Sequence, residues 1–509
     1  PNRSGNDISH HNLLTLKTGE LIPCFTKLML PNDTIKVSTD MEVQLPPMVS
    51  DFYGYVEARV EHFFVPLRLL YGGWKDIVTM SPEQSSTPTI PSLNATATND
   101  DEFKRKFGPG SLFDYLDFNV RYTATAAIRF RINNALRAIA YHKIYDDWYR
   151  DTRLTTQLFD YVPNQVTPTP ESILARLPYT RAQGVTINDT STFKDGTDIY
   201  TIRKRCWDKD YFTSATTSPQ AGNQSKVTID TSGDTHTFSI AQLRAANSLQ
   251  QWLERNNVAG FRYNDQIYAN YGVYPSDAST DRALYLGQAN IPIYNRGVYQ
   301  SGSAGDNGNP FNSVGTKYGS SLGAGSFGFK EFTSTEHGYY MIIVSLVPKI
   351  NYSSGICRDW SYRDISDIPN HMLQNIGDQE IYGTEINAQF DPENLFNSLK
   401  TFGYIPRFSE HKFMRDEVHG ELRDDATLKH FALQSSFVNP QLGTEFLEIP
   451  NNYLDGVMVA NTAISKLSCW MSMKFGATLI TTLSKQCIPT LDRPHDTHTV
   501  EIPNGGNRL

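Results

Sequence analysis

Residues 56–74 read Val56-Glu-Ala-Arg-Val-Glu-His-Phe-Phe-Val-Pro-Leu-Arg-Leu-Leu-Tyr-Gly-Gly-Trp74, a strand pattern closed by a proline and a glycine turn. Val56, Ala58, Val60, His62 and Phe64 fall on one side of an extended chain; Glu57, Arg59 and Glu61 fall on the other. A period of two with one dry and one wetter face is the signature of a strand in a sandwich sheet. Pro66 removes a ladder donor and ends the strand, and Gly72-Gly73 turns the chain.

Working outward, 509 residues exceed the usual limit of a single core. The 34 glycines and 27 prolines are spread along the whole chain, and aromatics reach 12%. Short strands with irregular connections fit this composition better than repeated strand–helix units. The net charge of −8 argues against a protein that grips nucleic acid over its whole surface, so any such contact must be local or shared with a basic partner. Five widely spaced cysteines (Cys24, Cys206, Cys357, Cys469, Cys487) contain no C-x-x-C pair, which leaves zinc unsupported and a disulfide framework unexpected. The polar start, Pro1-Asn-Arg-Ser-Gly-Asn-Asp7, lacks a signal-peptide core, and no apolar run is long enough to span a bilayer. A soluble protein made in a reducing compartment is expected.

Strand signals cluster within 20–66, 335–350 and 465–483. Thr335–Val347 is apolar on both faces and should be central. Leu467–Leu483 reads as a final strand pair, residues 1–20 as a polar arm, 81–100 as an exposed Ser/Thr/Pro loop and 296–328 as a long glycine-rich loop. That loop holds Gly323-Ala-Gly-Ser-Phe-Gly328, a literal G-x-G-x-x-G without the preceding strand and following helix that a dinucleotide site needs. Helices are expected over Asn134–Arg150, from a capping box at Ser239–Gln242 onward, over Tyr263–Tyr271, and after Asp391-Pro-Glu. The expected architecture is a mainly β, eight-stranded antiparallel jelly-roll sandwich. It forms one domain over 1–509, with large loop and helical insertions at about 81–330 and 360–460.

Two basic segments are candidate sites. Residues 121–153 carry Arg121, Arg129, Arg131, Arg137, Lys143, Arg150 and Arg153 against Asp146, Asp147 and Asp151. They read either as a nucleic-acid-facing patch or as a helix face with internal ion pairs. Arg203, Lys204 and Arg205 precede Trp207 and Tyr211, which is the mixture of charge and π-face that single-stranded DNA requires. The competing reading is an interface anchor, since interfaces concentrate Arg, Trp and Tyr. Catalytic and metal readings fail. Glu336-His337 are adjacent on a strand and point oppositely, His10-His11 do the same, and His495 and His498 lack a third ligand. No carboxylate pair stands out as a glycosidase pair. No enzyme and no cofactor is expected; the alternative is a secreted β-sandwich carbohydrate-binding or carbohydrate-active protein.

Glu61–Arg68 with Trp74–Ile77 closely resembles the major capsid protein of microviruses, small icosahedral single-stranded DNA phages, in their gokushovirus-like branch. The likeness extends through Gly19–Phe25, Leu30–Asp33, Leu45–Met48, Ser111–Leu116, Ala138–Arg150, Arg203–Ala215, Glu336-His-Gly338, Cys357–Trp360, Phe402–Phe408 and Gly420–Arg423. It implies a shell of sixty copies with T=1 symmetry around a circular single-stranded DNA genome, assembled in the host bacterial cytoplasm and found in the virion. The implied partners are a small basic DNA-packing protein, a pilot protein, an internal scaffolding protein and a bacterial host surface receptor. Residues 222–236 depart from the family, where a long insertion builds a protrusion at the threefold axes. A large protrusion at this point is not expected here.

Overall fold

The computed structural model describes residues 3–46, 48, 52–79, 89–120, 128–160, 169–181, 184–219, 240–299, 317–328, 331–352, 354–387, 400–424, 429–435, 437, 440–458 and 469–483. Two antiparallel sheets form the centre. The first has four strands in the order Ile22–Met29, Gly338–Pro348, Val56–Pro66, Leu284–Pro292. The second, of seven strands, runs Ser4–Asp7, Cys469–Thr481, Thr34–Gln44, Lys317–Gly328, Tyr294–Tyr299. His10–Leu16 also pairs with Cys469–Thr481, and Phe332–Thr333 lies beside Thr34–Gln44. From Ile22 to Gln44 to Pro66, and again from Gly338 to Thr481, the chain crosses from one sheet to the other, so both ends of the sequence close the same sandwich.

The sheets share one core. Ile35, Val37, Met41, Met471, Met473 and Phe475 from the second meet Val56, Ala58, Val60, Phe64, Ile342 and Val344 from the first. In Thr34–Gln44 this burial alternates strictly, with Lys36, Ser38, Asp40, Glu42 and Gln44 turned to solvent. The mainly β sandwich with helical insertions expected from the sequence is the fold observed, with more strands than eight.

The first sheet is covered on its outer side too. All of Gly338–Pro348 is buried, as its two apolar faces predict. The covering layer is the helix Leu136–Ile144 with its π-helical continuation Tyr145–Tyr149; Asn134 Oδ1 accepts the Leu136 N–H at 3.0 Å and starts it. Leu136, Ile139 and Tyr141 join Phe63, Val65, Met341 and Ile343 in a second cluster. This corrects the reading of Val56–Pro66. Its charged side is not wet, since Glu61 is only 6% exposed under this layer.

Other expectations change for tertiary reasons. The arm at 1–20 is tied down as Ser4–Asp7 and His10–Leu16 along the edge of Cys469–Thr481, which is one long strand rather than a pair. Residues 92–97 form a strand in a small sheet with Ile128–Ile132 and Thr186–Asn188. The glycine-rich stretch contributes the hairpin Tyr294–Tyr299 and Lys317–Gly328, so Gly323–Gly328 is strand. A Cβ on Gly325 would lie 2.7 Å from Ile291 Cδ1, so glycine here lets the two sheets approach. The helices Ile240–Ala259 and Tyr263–Tyr271 form as expected, with Gly272 ending the latter at φ 70°. Segment 222–236, Ser239, Asp391–Phe396, His495 and His498 lie outside the described residues.

His62 faces the shared core, its Nδ1 2.6 Å from Tyr340 Oη, and burial lowers its pKa to about 3. The folded chain therefore declines a proton that the unfolded chain accepts once pH drops below 6.5. This contribution to stability is complete above 6.5 and is lost on acidification toward 3, by about 1.4 kcal/mol per pH unit. Urea unfolding of the parent and of His62→Asn between pH 7 and pH 4 should differ by that slope; parallel curves would refute it.

Candidate assembly surface and the Arg203–Tyr211 segment

The Arg203–Tyr211 segment sits between the sandwich and its insertions. Arg203 is 5% exposed and donates to Asp195 at 2.7 Å, Thr197 Oγ1 at 2.6 Å and His142 Nδ1 at 3.1 Å. Burial, with Arg203 alongside, holds the His142 pKa well below its ordinary value. Arg205 donates to Glu61 at 2.5 Å and to Ser345 Oγ at 3.3 Å, and its guanidinium lies 5.4 Å from the centre of the Tyr149 ring. Tyr149 Oη donates to the same Glu61 at 2.6 Å. Arg59 bridges Glu57 and Asp208 in the next turn of this network.

Trp207 is 5% exposed, its backbone N–H donating to Leu447 O at 2.8 Å and its ring 5.1 Å from that of Tyr453. Tyr211, 8% exposed, donates to Glu385, which Arg358 also holds at 2.9 Å. Lys204 is half-buried; its backbone bridges to Glu20, and its charge acts on Glu20 and Glu448. These five residues are the DNA-contact candidates, with an interface anchor as the competing reading. The structure gives Arg203, Arg205, Trp207 and Tyr211 protein partners inside the chain, where the two arginines neutralise carboxylates. The available sequence signal for that pairing was the acids Glu57 and Glu61 flanking Arg59 on one strand, set against the Arg203-Lys-Arg205 run and Asp208.

The basic segment 121–153 divides. Lys143 pairs with Asp147 at 2.9 Å, Arg150 with Asp146 at 2.6 Å and Arg153 with Asp151 at 3.2 Å, so the ion-paired reading holds for these three. Arg121 lies outside the described residues.

Two groups of exposed apolar residues lie on the insertions. The first is on the helical insertion, with Leu243, Leu249, Trp252 (51% exposed), Tyr263, Tyr268 and Tyr271 (80%) outward. Between Leu243 and Arg255 no residue is fully buried, although Leu243, Ala246, Leu249 and Leu253 make a regular stripe. Such a stripe reads in sequence as a core face; the fold leaves it uncovered. The second is Trp360, Ile365, Met372, Ile376, Phe413 and Met414. The two adjoin, because a Cβ on Gly377 would stand 3.8 Å from Glu254 Oε1. At that junction burial and the neighbouring Glu254 raise the Asp378 pKa to about 6. Contiguous exposed apolar surface of this kind marks association.

Among the described residues, no cluster of side chains could hold a metal ion, and no helix is long and apolar enough to cross a membrane. A comparison with family models matches the capsid protein (F protein) of phages over residues 1–235 and 223–489. The chain is 24% identical to capsid protein VP1 of Chlamydia phage 1, over 88% of this chain and 89% of the relative. It is 25% identical to capsid protein VP1 of Bdellovibrio phage phiMH2K over 85% of each, and 24% identical to that of Spiroplasma virus 4 over 88% and 87%. Matched from end to end of its sandwich and over its insertions, the chain belongs to the phage F-type capsid protein family, whose role is structural rather than enzymatic.

Proposed function

We propose that sixty copies of this chain close a T=1 icosahedral shell around a circular single-stranded DNA genome, as one sandwich domain with its insertions turned to neighbours. The observation that carries this reading is the uncovered apolar stripe of Ile240–Ala259 and its continuation through Tyr271. An isolated helix of this composition gains too little in water to hold itself, so a neighbouring copy is its natural cover. Partners of the shell are a small basic DNA-packing protein, a pilot protein, an internal scaffolding protein and a bacterial surface receptor. A basic packing protein would neutralise phosphates that a chain of net charge −8 does not. The particle assembles in the host cytoplasm and carries host attachment on its outer face.

The test is sedimentation of extracts from infected or co-expressing cells, with nuclease treatment and ultraviolet absorbance of each fraction. The parent should yield megadalton particles with nuclease-resistant single-stranded DNA. Trp252→Asp with Tyr271→Asp should shift nearly all of the protein to slowly sedimenting, folded species. A parent chain that stays small with every partner present would defeat the shell reading.

A further inference from the structure

The small sheet of Ser92–Ala97, Ile128–Ile132 and Thr186–Asn188 has two unlike faces. Leu93, Ala95 and Ile187 are buried in the helical core, with Phe130 and Ile132 packed on the same cluster. On the other face, Asn94 stands opposite Arg131, Thr96 opposite Arg129, and Asn188 beside Asn94. Arg129 and Arg131 are exposed. Unlike Lys143, Arg150 and Arg153, they have neither a carboxylate nor a hydrogen-bond partner among the described residues. Asp189, which follows the third strand, is already engaged by Lys106 Nζ at 2.6 Å, by Tyr200 Oη at 2.7 Å and by Thr96 Oγ1.

Two guanidinium groups two residues apart on one strand face stand about 7 Å apart along it. Side by side without a counter-ion they repel, and they call for anions that recur along a line. We propose that this face holds the sugar–phosphate backbone of the enclosed single strand, with Arg129 and Arg131 on successive phosphates and Asn94, Asn188 and Thr186 donating to phosphate oxygens. The inference rests on the shell reading and turns this sheet toward the interior. The acid at the edge of this face, Asp189, is already held by Lys106, Tyr200 and Thr96, so the two cations select a polyanion over another copy of an acidic chain. No aromatic ring shares that face among the described residues, so the contact is to backbone and independent of base sequence.

The test titrates full-length unassembled chain with labelled oligothymidylate at several salt concentrations. Arg129→Gln with Arg131→Gln should make the slope of log K against log salt shallower by about 1.4, since each single-strand phosphate contact contributes about 0.7. Lys104→Gln, an exposed cation paired with Asp100 on a neighbouring helix, should leave the slope unchanged. An unchanged slope in the double variant, or a parent whose binding ignores salt, overturns the inference. If parent particles enclose DNA and the slope is unchanged, the inference fails while the shell reading stands. If the variant blocks shell closure with the slope unchanged, the face meets another copy instead, which also overturns it.

Discussion

Glu61→Ala and Arg205→Ala should each lower the stability of the folded chain by about 3–5 kcal/mol, read as a shift of the urea midpoint of the unassembled protein. Each leaves an uncompensated charge beneath the helical layer. Glu61 would lose Arg205 and keep the Tyr149 hydroxyl; Arg205 would lose its hydrogen-bonded carboxylate and keep Ser345 and the Tyr149 ring. Removing both charges while keeping volume, as in Glu61→Leu with Arg205→Met, should recover most of the loss, because desolvation of the two ions disappears together with their attraction. If the single variants stay within about 0.5 kcal/mol of the parent, this network is not the clamp between sandwich and insertion. The same result bears on the genome. A triple neutralisation of Arg203, Lys204 and Arg205 should reduce folded protein before it reduces packaged DNA.

The second large effect is expected at Gly19. Its φ is +74°, and a Cβ would sit 2.6 Å from both Cβ and the carbonyl oxygen of Ile449. Its N–H donates to Leu346 O at 3.0 Å and its C=O accepts from Arg205 N at 2.7 Å, so the backbone cannot swing away without opening two segments. Gly19→Ala should cost about 1–2 kcal/mol for the left-handed backbone and about 1–3 more for the clash. Gly184→Ala is the control: φ is +65° with nothing within 4 Å among the described residues, so only the first cost applies. Equal midpoints for the two variants would mean that the approach of Ile449 is not tight.

Much of the architecture was legible in the order of residues. The alternation of Val56–Pro66 and Thr34–Gln44, the two-sided apolarity of Gly338–Pro348 and the stripes of Leu136–Ile144 and Ile240–Ala259 are local patterns, and local periodicity is written in the chain. The glycine-rich hairpin and the strand at Ser92–Ala97 were not legible. Their extended form is imposed by pairing partners far away in sequence, Thr34–Gln44 for one and Ile128–Ile132 for the other.

The candidate site divides along the same line. The family, the sandwich and the set of cations able to meet an anion can be read from residue order, because strand period and residue type need no partner. Which of those cations remain available depends on how the chain folds. Arg203 and Arg205 are consumed by Asp195 and Glu61, while Arg129 and Arg131 are left facing solvent. The tertiary structure likewise decided that one apolar stripe, on Leu136–Ile144, covers the sheet and another, on Ile240–Ala259, is left uncovered. The physical reason is that burial and charge pairing are properties of neighbours in space. A guanidinium or a leucine carries the same letter whether its counterpart comes from its own chain or from the next.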